Sequence, residues 1–256
     1  MIEATIQTTA DGAILFDPAA LAQAGTAAFD AAWFEPGHWQ AAGAAVPLRG
    51  GRGGALAIDA PFGPCVLRHY CRGGMVARLL GDRYLWTGAE RTRAFAEFRV
   101  LATLAARGLR VPLPVAARYR RDGVHYRADL ITRRIEGATS LAELIAAARC
   151  DPSHAAAVGA ALAEFHAAGA YHADLNAHNV LFGAGGVWLV DFDRGEVRAP
   201  ARGWQLANLA RLRRSLLKVG AADAGEAAFD RALWSPLMAA YERALGSPRR
   251  ARRVPA

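Results

Sequence analysis

At 256 residues, 53% hydrophobic and 21% charged, the chain is long enough to bury its own core, as one large domain or two packed lobes. Cys65, Cys71 and Cys150 are odd in number and lack CxxC spacing, which argues against a disulfide framework or zinc site and points to a reducing compartment. The formal charge of +8 rests on arginine, Lys218 being the only lysine among 31 basic residues; it favours an anionic partner without choosing between nucleic acid, a phosphate-rich substrate and a membrane surface.

Residues 1–45 read as an N-terminal extension of strand-like and helical fragments carrying Phe29, Trp33, Phe34 and Trp39, with no role assigned by pattern. From Val46 the pattern becomes strand-rich. A turn, GGRGG, containing Gly50, Gly51, Gly53 and Gly54, precedes an apolar run at Ala55–Asp59, and PFGP at 61–64 separates that run from CVLRHY at 65–70. This is the signature of antiparallel strands joined by turns. Residues 91–107 fit a helix with Glu97, Leu101 and Leu104 along one stripe, which sets a carboxylate on the inward face. Val115–Tyr119 and Val124–Thr132 flank an Arg-Asp-Gly turn and read as a hairpin leading into RRIEGAT at 133–139.

Helical patterns then take over. Ser140 with Glu143 forms a capping box before Leu141–Ala148. Asp151-Pro152-Ser153 opens a second helix with Val158, Leu162 and Phe165 on its apolar side, and Gly169 is its expected stop. A polar loop follows, then a hairpin of Val180–Phe182 and Val187–Val190 around GAGG. A helix over 204–220 sets Leu206, Leu209, Leu212 and Leu216 near one face, interleaved with Arg211, Arg213, Arg214 and Lys218. Such a helix reads as a core helix with a solvated back or as a surface for anionic lipid. The RRARR tail at 249–253 is expected to fray. The expected fold class is α+β, a strand-rich first half followed by a helix-rich second half. No apolar stretch reaches the roughly 20 residues of a spanning helix, and the amino terminus lacks a secretory pattern, so a cytoplasmic protein is expected.

The chemistry gathers in YHADLNAHNVLFGAGGVWLVDFDRG at 171–195. Phosphoryl transfer asks a protein for positioning and charge neutralisation rather than covalent work. Asp174, in a loop, suits a hydrogen bond to an attacking hydroxyl. The amide oxygen of Asn179 and the carboxylate of Asp191 are hard ligands suited to Mg²⁺ bridging phosphates. Aspartate and asparagine are also ordinary turn formers, but three such roles in this order favour the functional reading. Gly50, Gly51, Gly53 and Gly54 would let backbone amides approach the phosphates, although such clusters are often plain turns.

His172-Ala173-Asp174 with Asn179, then Asp191-Phe192-Asp193, resembles the HRD-x-x-x-x-N and DFG signatures of the protein-kinase-like fold. The fuller strings VLRHYCRGG at 66–74, YRADLITRRIEGA at 126–138, YHADLNAHNVL and VDFDRG are similar to those of the 3-deoxy-D-manno-octulosonic acid (Kdo) kinase family of lipopolysaccharide core biosynthesis. The resemblance covers about residues 46–195. It implies a two-lobed kinase-like fold, with an N-lobe at 46–132 on the phosphate and adenine side of ATP. The C-lobe at 133–256 would carry the catalytic loop, metal and acceptor. It further implies Asp174 as the catalytic base, Asn179 and Asp191 as Mg²⁺ ligands, and transfer from ATP to the 4-hydroxyl of Kdo in a Kdo-containing lipid A precursor. The expected location is the cytoplasmic face of the inner membrane, as a peripheral protein on an anionic surface, with no nucleic acid partner.

The departures from the kinase pattern narrow it. The usual strand lysine is absent, and Arg68 stands in its place, expected to pair with Glu97 and steady ATP with forked geometry. Ala173 replaces the HRD arginine, Asp193 replaces the DFG glycine and no APE-like string follows, so activation by loop phosphorylation is not expected. His172 is read as loop support, His178 as loop support or a phosphate contact, and Asn176 as an aid in orienting Asp174 or the acceptor. A lipopolysaccharide heptose kinase and a nucleotide-binding pseudokinase scaffold are the alternatives.

Overall fold

A computed structural model describes residues 2–48, 55–71 and 81–246. Gly50, Gly51, Gly53 and Gly54 lie outside the described residues. The chain divides into two compact units, residues 1–102 with 112–134, and residues 103–111 with 135–256.

The first unit is built on one antiparallel sheet. Its strands are β1 (Thr5–Thr8), β2 (Gly12–Phe16), β3 (Ala45–Pro47), β4 (Leu56–Ala60), β5 (Gly63–His69), β6 (Tyr84–Leu85), β7 (Pro114–Asp122) and β8 (His125–Arg133). Among the described residues the order is β1-β2-β7-β8-β5-β4-β3, with β6 on β8 beyond the end of β5. Two short helices, α1 (Pro18–Ala24) and α2 (Pro36–Ala41), lie between β2 and β3. A 3₁₀ turn at Ala89–Arg91 leads into α3 (Arg93–Ala106), slightly shorter than the pattern's 91–107.

The N-terminal stretch is structural. Phe29 lies with its ring 5.9 Å from Phe16, 5.3 Å from Phe34 and 5.8 Å from Phe62, inside a buried cluster that includes Trp39, Ile58, Leu67, Val115 and Ile131. Residues before 45 thus bury aromatic area against the sheet and pair with it directly, β2 running antiparallel to β7. Gly12 is required there, because a Cβ would sit 2.0 Å from the Tyr119 carbonyl oxygen.

The second unit holds β9 (Thr139–Ser140), α4 (Leu141–Ala146), α5 (Pro152–Ala167), β10 (Ala170–Tyr171), β11 (Val180–Gly183), β12 (Gly186–Leu189), β13 (Glu196–Val197), α6 (Arg202–Lys218), α7 (Glu226–Phe229) and α8 (Ser235–Gly246). Ser140 and Glu143 form the reciprocal capping box at the start of α4. Asp151 caps α5, accepting from the backbone amides of Ser153 and His154. The β11–β12 hairpin runs antiparallel, and β9 adds to its other side. Val158, Leu162, Phe165, Phe192, Leu209, Leu212, Leu216, Leu237 and Tyr241 are buried.

One face assignment needs correction. Leu209, Leu212 and Leu216 of α6 are buried, but Leu206 is 44% exposed. The inward positions of the first turns are Gln205 and Asn208, polar residues drawn inside by hydrogen bonds to the backbone of His166 and His172. A hydrophobicity pattern cannot see that substitution. Among the described residues, no helix is long and apolar enough to cross a membrane.

Candidate active site

Two groups of the singled-out residues are drawn together, one within each unit. In the first, Arg68 on β5 donates through Nη2 to Oε2 of Glu97 on α3. Tyr70, one residue past the end of β5, follows Arg68 by two positions and its amide continues the pairing by donating to the Ala128 carbonyl at 3.0 Å. Its hydroxyl accepts from Arg68 at 3.0 Å and donates to the same Glu97 oxygen at 2.5 Å. The guanidinium also lies 4.7 Å from the Tyr70 ring centroid. Glu97 is buried, and a buried carboxylate is sustained only by a paired cation and further hydrogen bonds. Arg68 and Tyr70 supply both, so Glu97 fixes the direction of the guanidinium. Tyr70 had no distinguishing mark in the sequence beyond its i+2 spacing from Arg68.

In the second unit the polar loop after β10 is held from two sides. His172 is fully buried, and its Nε2 donates to the Val190 carbonyl at 2.9 Å. Nδ1 is then the acceptor for the Asp174 backbone amide at 3.2 Å. This is one defined tautomer of a neutral imidazole, and burial drives the His172 pKa below its ordinary value. Asn179 donates through Nδ2 to the Asp174 carbonyl at 3.0 Å, which commits the NH₂ end to the loop. Asn176 donates to that same carbonyl at 2.9 Å and to Oδ2 of Asp174 at 3.3 Å. Its own amide oxygen accepts from the backbone of His178 and Asn179. Asn176 therefore orients Asp174 and closes the turn at once, while His178 is exposed.

The hairpin positions Asp191. The Val190 amide donates to the Asn179 carbonyl at 3.1 Å, extending the β11–β12 ladder by one bond, so Asp191 emerges beside Asn179. Asp191 has φ 62°, in the left-handed region where aspartate is tolerated better than most residues. Phe192 next to it is fully buried, its ring 4.7 Å from His172 and 6.2 Å from Phe165. That anchor holds the strained residue in place. Gly195 closes the turn, since a Cβ would lie 2.8 Å from the Phe192 carbonyl oxygen.

A third support was invisible in the pattern. Asn208, Arg211 and Ser215 lie at spacings of three and four on one side of α6 and each touches the loop. Asn208 accepts from the His172 amide at 3.2 Å and donates to its carbonyl at 3.0 Å. The Ser215 hydroxyl accepts from the Ala177 amide at 3.0 Å. Between them Arg211 donates through Nη1 to Oδ1 of Asp174 at 2.6 Å. Asn and Ser on a helix face carry no periodic signal, and Arg211 looked like one cation among several.

The donor set can be tested against a cation. Among the described residues, no group of three or more His, Cys, Asp or Glu side chains is gathered as a metal cage. Asn179 and Asp191, an amide and a carboxylate carried on neighbouring backbone at the end of the hairpin, instead fit Mg²⁺, which usually takes one or two protein carboxylates and completes its shell with phosphate oxygens and water.

The model of the "Lipopolysaccharide kinase (Kdo/WaaP) family" matches residues 37–241. The chain is 55% identical over 210 residues to a 3-deoxy-D-manno-octulosonic acid kinase of Xanthomonas euvesicatoria pv. vesicatoria (strain 85-10), covering 81% of each. It is 52% identical over 210 residues to a protein of the same name from Stenotrophomonas maltophilia (strain R551-3), again covering 81% of each. A solved structure, WaaP in complex with acyl carrier protein, is 17% identical and aligns over 77% of this chain and 78% of that one with a TM-score of 0.49. With more than half of its length matched by the family model and with relatives above 50% identity, the chain belongs to the lipopolysaccharide kinase (Kdo/WaaP) family.

Proposed function

We propose that this kinase transfers the terminal phosphoryl group of ATP to the 4-hydroxyl of Kdo in a Kdo-containing lipid A precursor. The observation that carries the reading is Asp174, an exposed carboxylate on a loop whose backbone is fixed by His172, Asn176, Asn179 and Asn208. The acceptor hydroxyl would hydrogen-bond the Asp174 carboxylate, which orients its oxygen and takes its proton as the bond to phosphorus forms. Asn179 and Asp191 would hold Mg²⁺, whose role when bound is to neutralise phosphate charge. Arg68, aimed by Glu97 and Tyr70, is the candidate contact for the phosphates of ATP. The names of the relatives support Kdo as the sugar.

The acceptor is a lipid, and a peripheral position on the cytoplasmic face of the inner membrane fits the basic charge of the chain. On α6 part of that charge is already engaged, Arg202 with Glu242 and Arg213 with Glu226 and Asp230, so exposed Leu206 and the net charge are the features favouring an anionic surface.

The test is a transfer assay with ATP and Mg²⁺ offering a Kdo-lipid acceptor and a heptosylated acceptor side by side, the phosphorylated position being located by NMR. Phosphate at O4 of Kdo is the expected product. Phosphate on heptose would replace the reading with a heptose kinase, and ATP binding without transfer to either would indicate a scaffold. Asp174→Ala is expected to keep ATP affinity while transfer falls by about 10²- to 10⁴-fold.

A further inference from the structure

Arg211 is the unassigned charge nearest the candidate base. Its place is fixed by α6, because Asn208 one turn before it and Ser215 one turn after it are both bonded to the loop that carries Asp174. The guanidinium gives one N–H to Oδ1 of Asp174. A guanidinium has five N–H groups arranged as a planar fork. The side chains of Arg211 and Asp174 are 47% and 61% exposed, so the rest of this fork faces solvent beside the carboxylate that must meet the acceptor hydroxyl.

An ion pair this exposed contributes roughly 1 kcal/mol or less to folding, which makes it a weak reason for an arginine here. A ligand carboxylate received by the fork in two parallel bonds makes a stronger contact. We infer that Arg211 is a specificity residue that binds the carboxylate of the acceptor sugar while keeping its bond to Asp174. This rests on the reading of the acceptor as Kdo, a sugar acid. The carboxyl group of a 2-ulosonic acid is attached to C2, two ring positions from C4. A single guanidinium bound to Asp174 can therefore touch the acid while Asp174 touches the 4-hydroxyl, which places O4 toward the donor.

The experiment compares a Kdo-lipid acceptor with its C1 carboxamide analogue in the wild type, Arg211→Gln and Arg211→Lys, measuring kcat and KM for acceptor and for ATP. The wild type is expected to prefer the acid by about 10- to 100-fold in kcat/KM, the range for hydrogen bonds to a charged group. Arg211→Gln should raise the acceptor KM, leave the ATP KM unmoved and treat acid and amide alike. Arg211→Lys should restore part of the preference, since charge returns without the fork. Acid preference in Arg211→Gln equal to that of the wild type overturns the assignment, as does a loss confined to kcat and equal for both acceptors. Failure of the wild type to phosphorylate either Kdo acceptor overturns the underlying function instead, and the two failures are separated by the wild-type arm.

Discussion

Asp191 holds a backbone conformation that most L-residues avoid, with φ 62°, and it does so between a ladder bond at Val190 and the buried ring of Phe192. Left-handed geometry costs a non-glycine residue about 1–2 kcal/mol, less for aspartate. Such a cost is tolerated where the side chain has a use, and Asp191 follows directly on the residue whose amide bonds the Asn179 carbonyl. Asp191→Gly should therefore separate structure from chemistry. Stability measured by urea unfolding is expected to hold or rise by about 1 kcal/mol, while Mg²⁺ should no longer tighten ATP binding in titrations with and without the metal. A variant that retained Mg²⁺-dependent affinity would remove Asp191 from the metal site. Arg68 poses a different question. Arg68→Lys keeps a cation but only as a point charge, so it is expected to retain Glu97 and lose part of the phosphate geometry, seen as a raised KM for ATP with a smaller change in kcat.

At the scale of elements, close approach decides more than pattern does. Gly159 sits in the middle of α5 where glycine is normally unfavourable, and a Cβ there would lie 2.0 Å from the Leu237 carbonyl oxygen of α8. Gly159→Ala should add helix propensity yet destabilise, by about 1–3 kcal/mol, because backbone rather than a flexible side chain must move. A denaturant midpoint equal to or above the wild type would contradict this packing. The same contrast explains how far the elements could be read from residues alone. The β7–β8 hairpin, the α4 capping box, the Asp151 start of α5 and the β11–β12 hairpin carry local signals, and all are present. The β11–β12 hairpin also brings the backbone of Val190 to Asn179, whose side chain in turn bonds the Asp174 carbonyl. The helix α6 was legible as a helix but not in its facing, since Gln205 and Asn208 are buried through hydrogen bonds that hydropathy does not encode. For the same reason the contact of Arg211 with Asp174 had no local signature, the two residues lying 37 positions apart.

For the whole molecule the consequential quantity is proton uptake. Nearly all its basic charge is arginine, which stays ionised, so pH-dependent stability in the weakly acidic range falls to histidines. His69 bridges Asp129 at 2.6 Å and Asp82 at 3.0 Å, and the hydrogen bond it donates to the Asp129 carboxylate is the main cause of its raised pKa. Its contribution is complete below the ordinary histidine value near 6.5 and is lost as pH rises through the folded value. His166 and His172 act in the opposite sense. Burial pushes His166 down to about 4 and lowers His172 as well, so their contribution is present above 6.5 and is lost as pH falls toward the folded values. In this interval the unfolded chain binds more protons than the folded one, and acid therefore favours unfolding. The His166 shift corresponds to roughly 3 kcal/mol at about 1.4 kcal/mol per pH unit. Urea unfolding between pH 7 and pH 4 should show stability falling below 6.5, and His166→Leu should flatten that slope even though it loses the bond to the Tyr241 hydroxyl. The slope, not the absolute stability, is the readout, because the lost bond lowers the variant's stability at every pH. An unchanged slope in His166→Leu would mean that the proton uptake resides elsewhere.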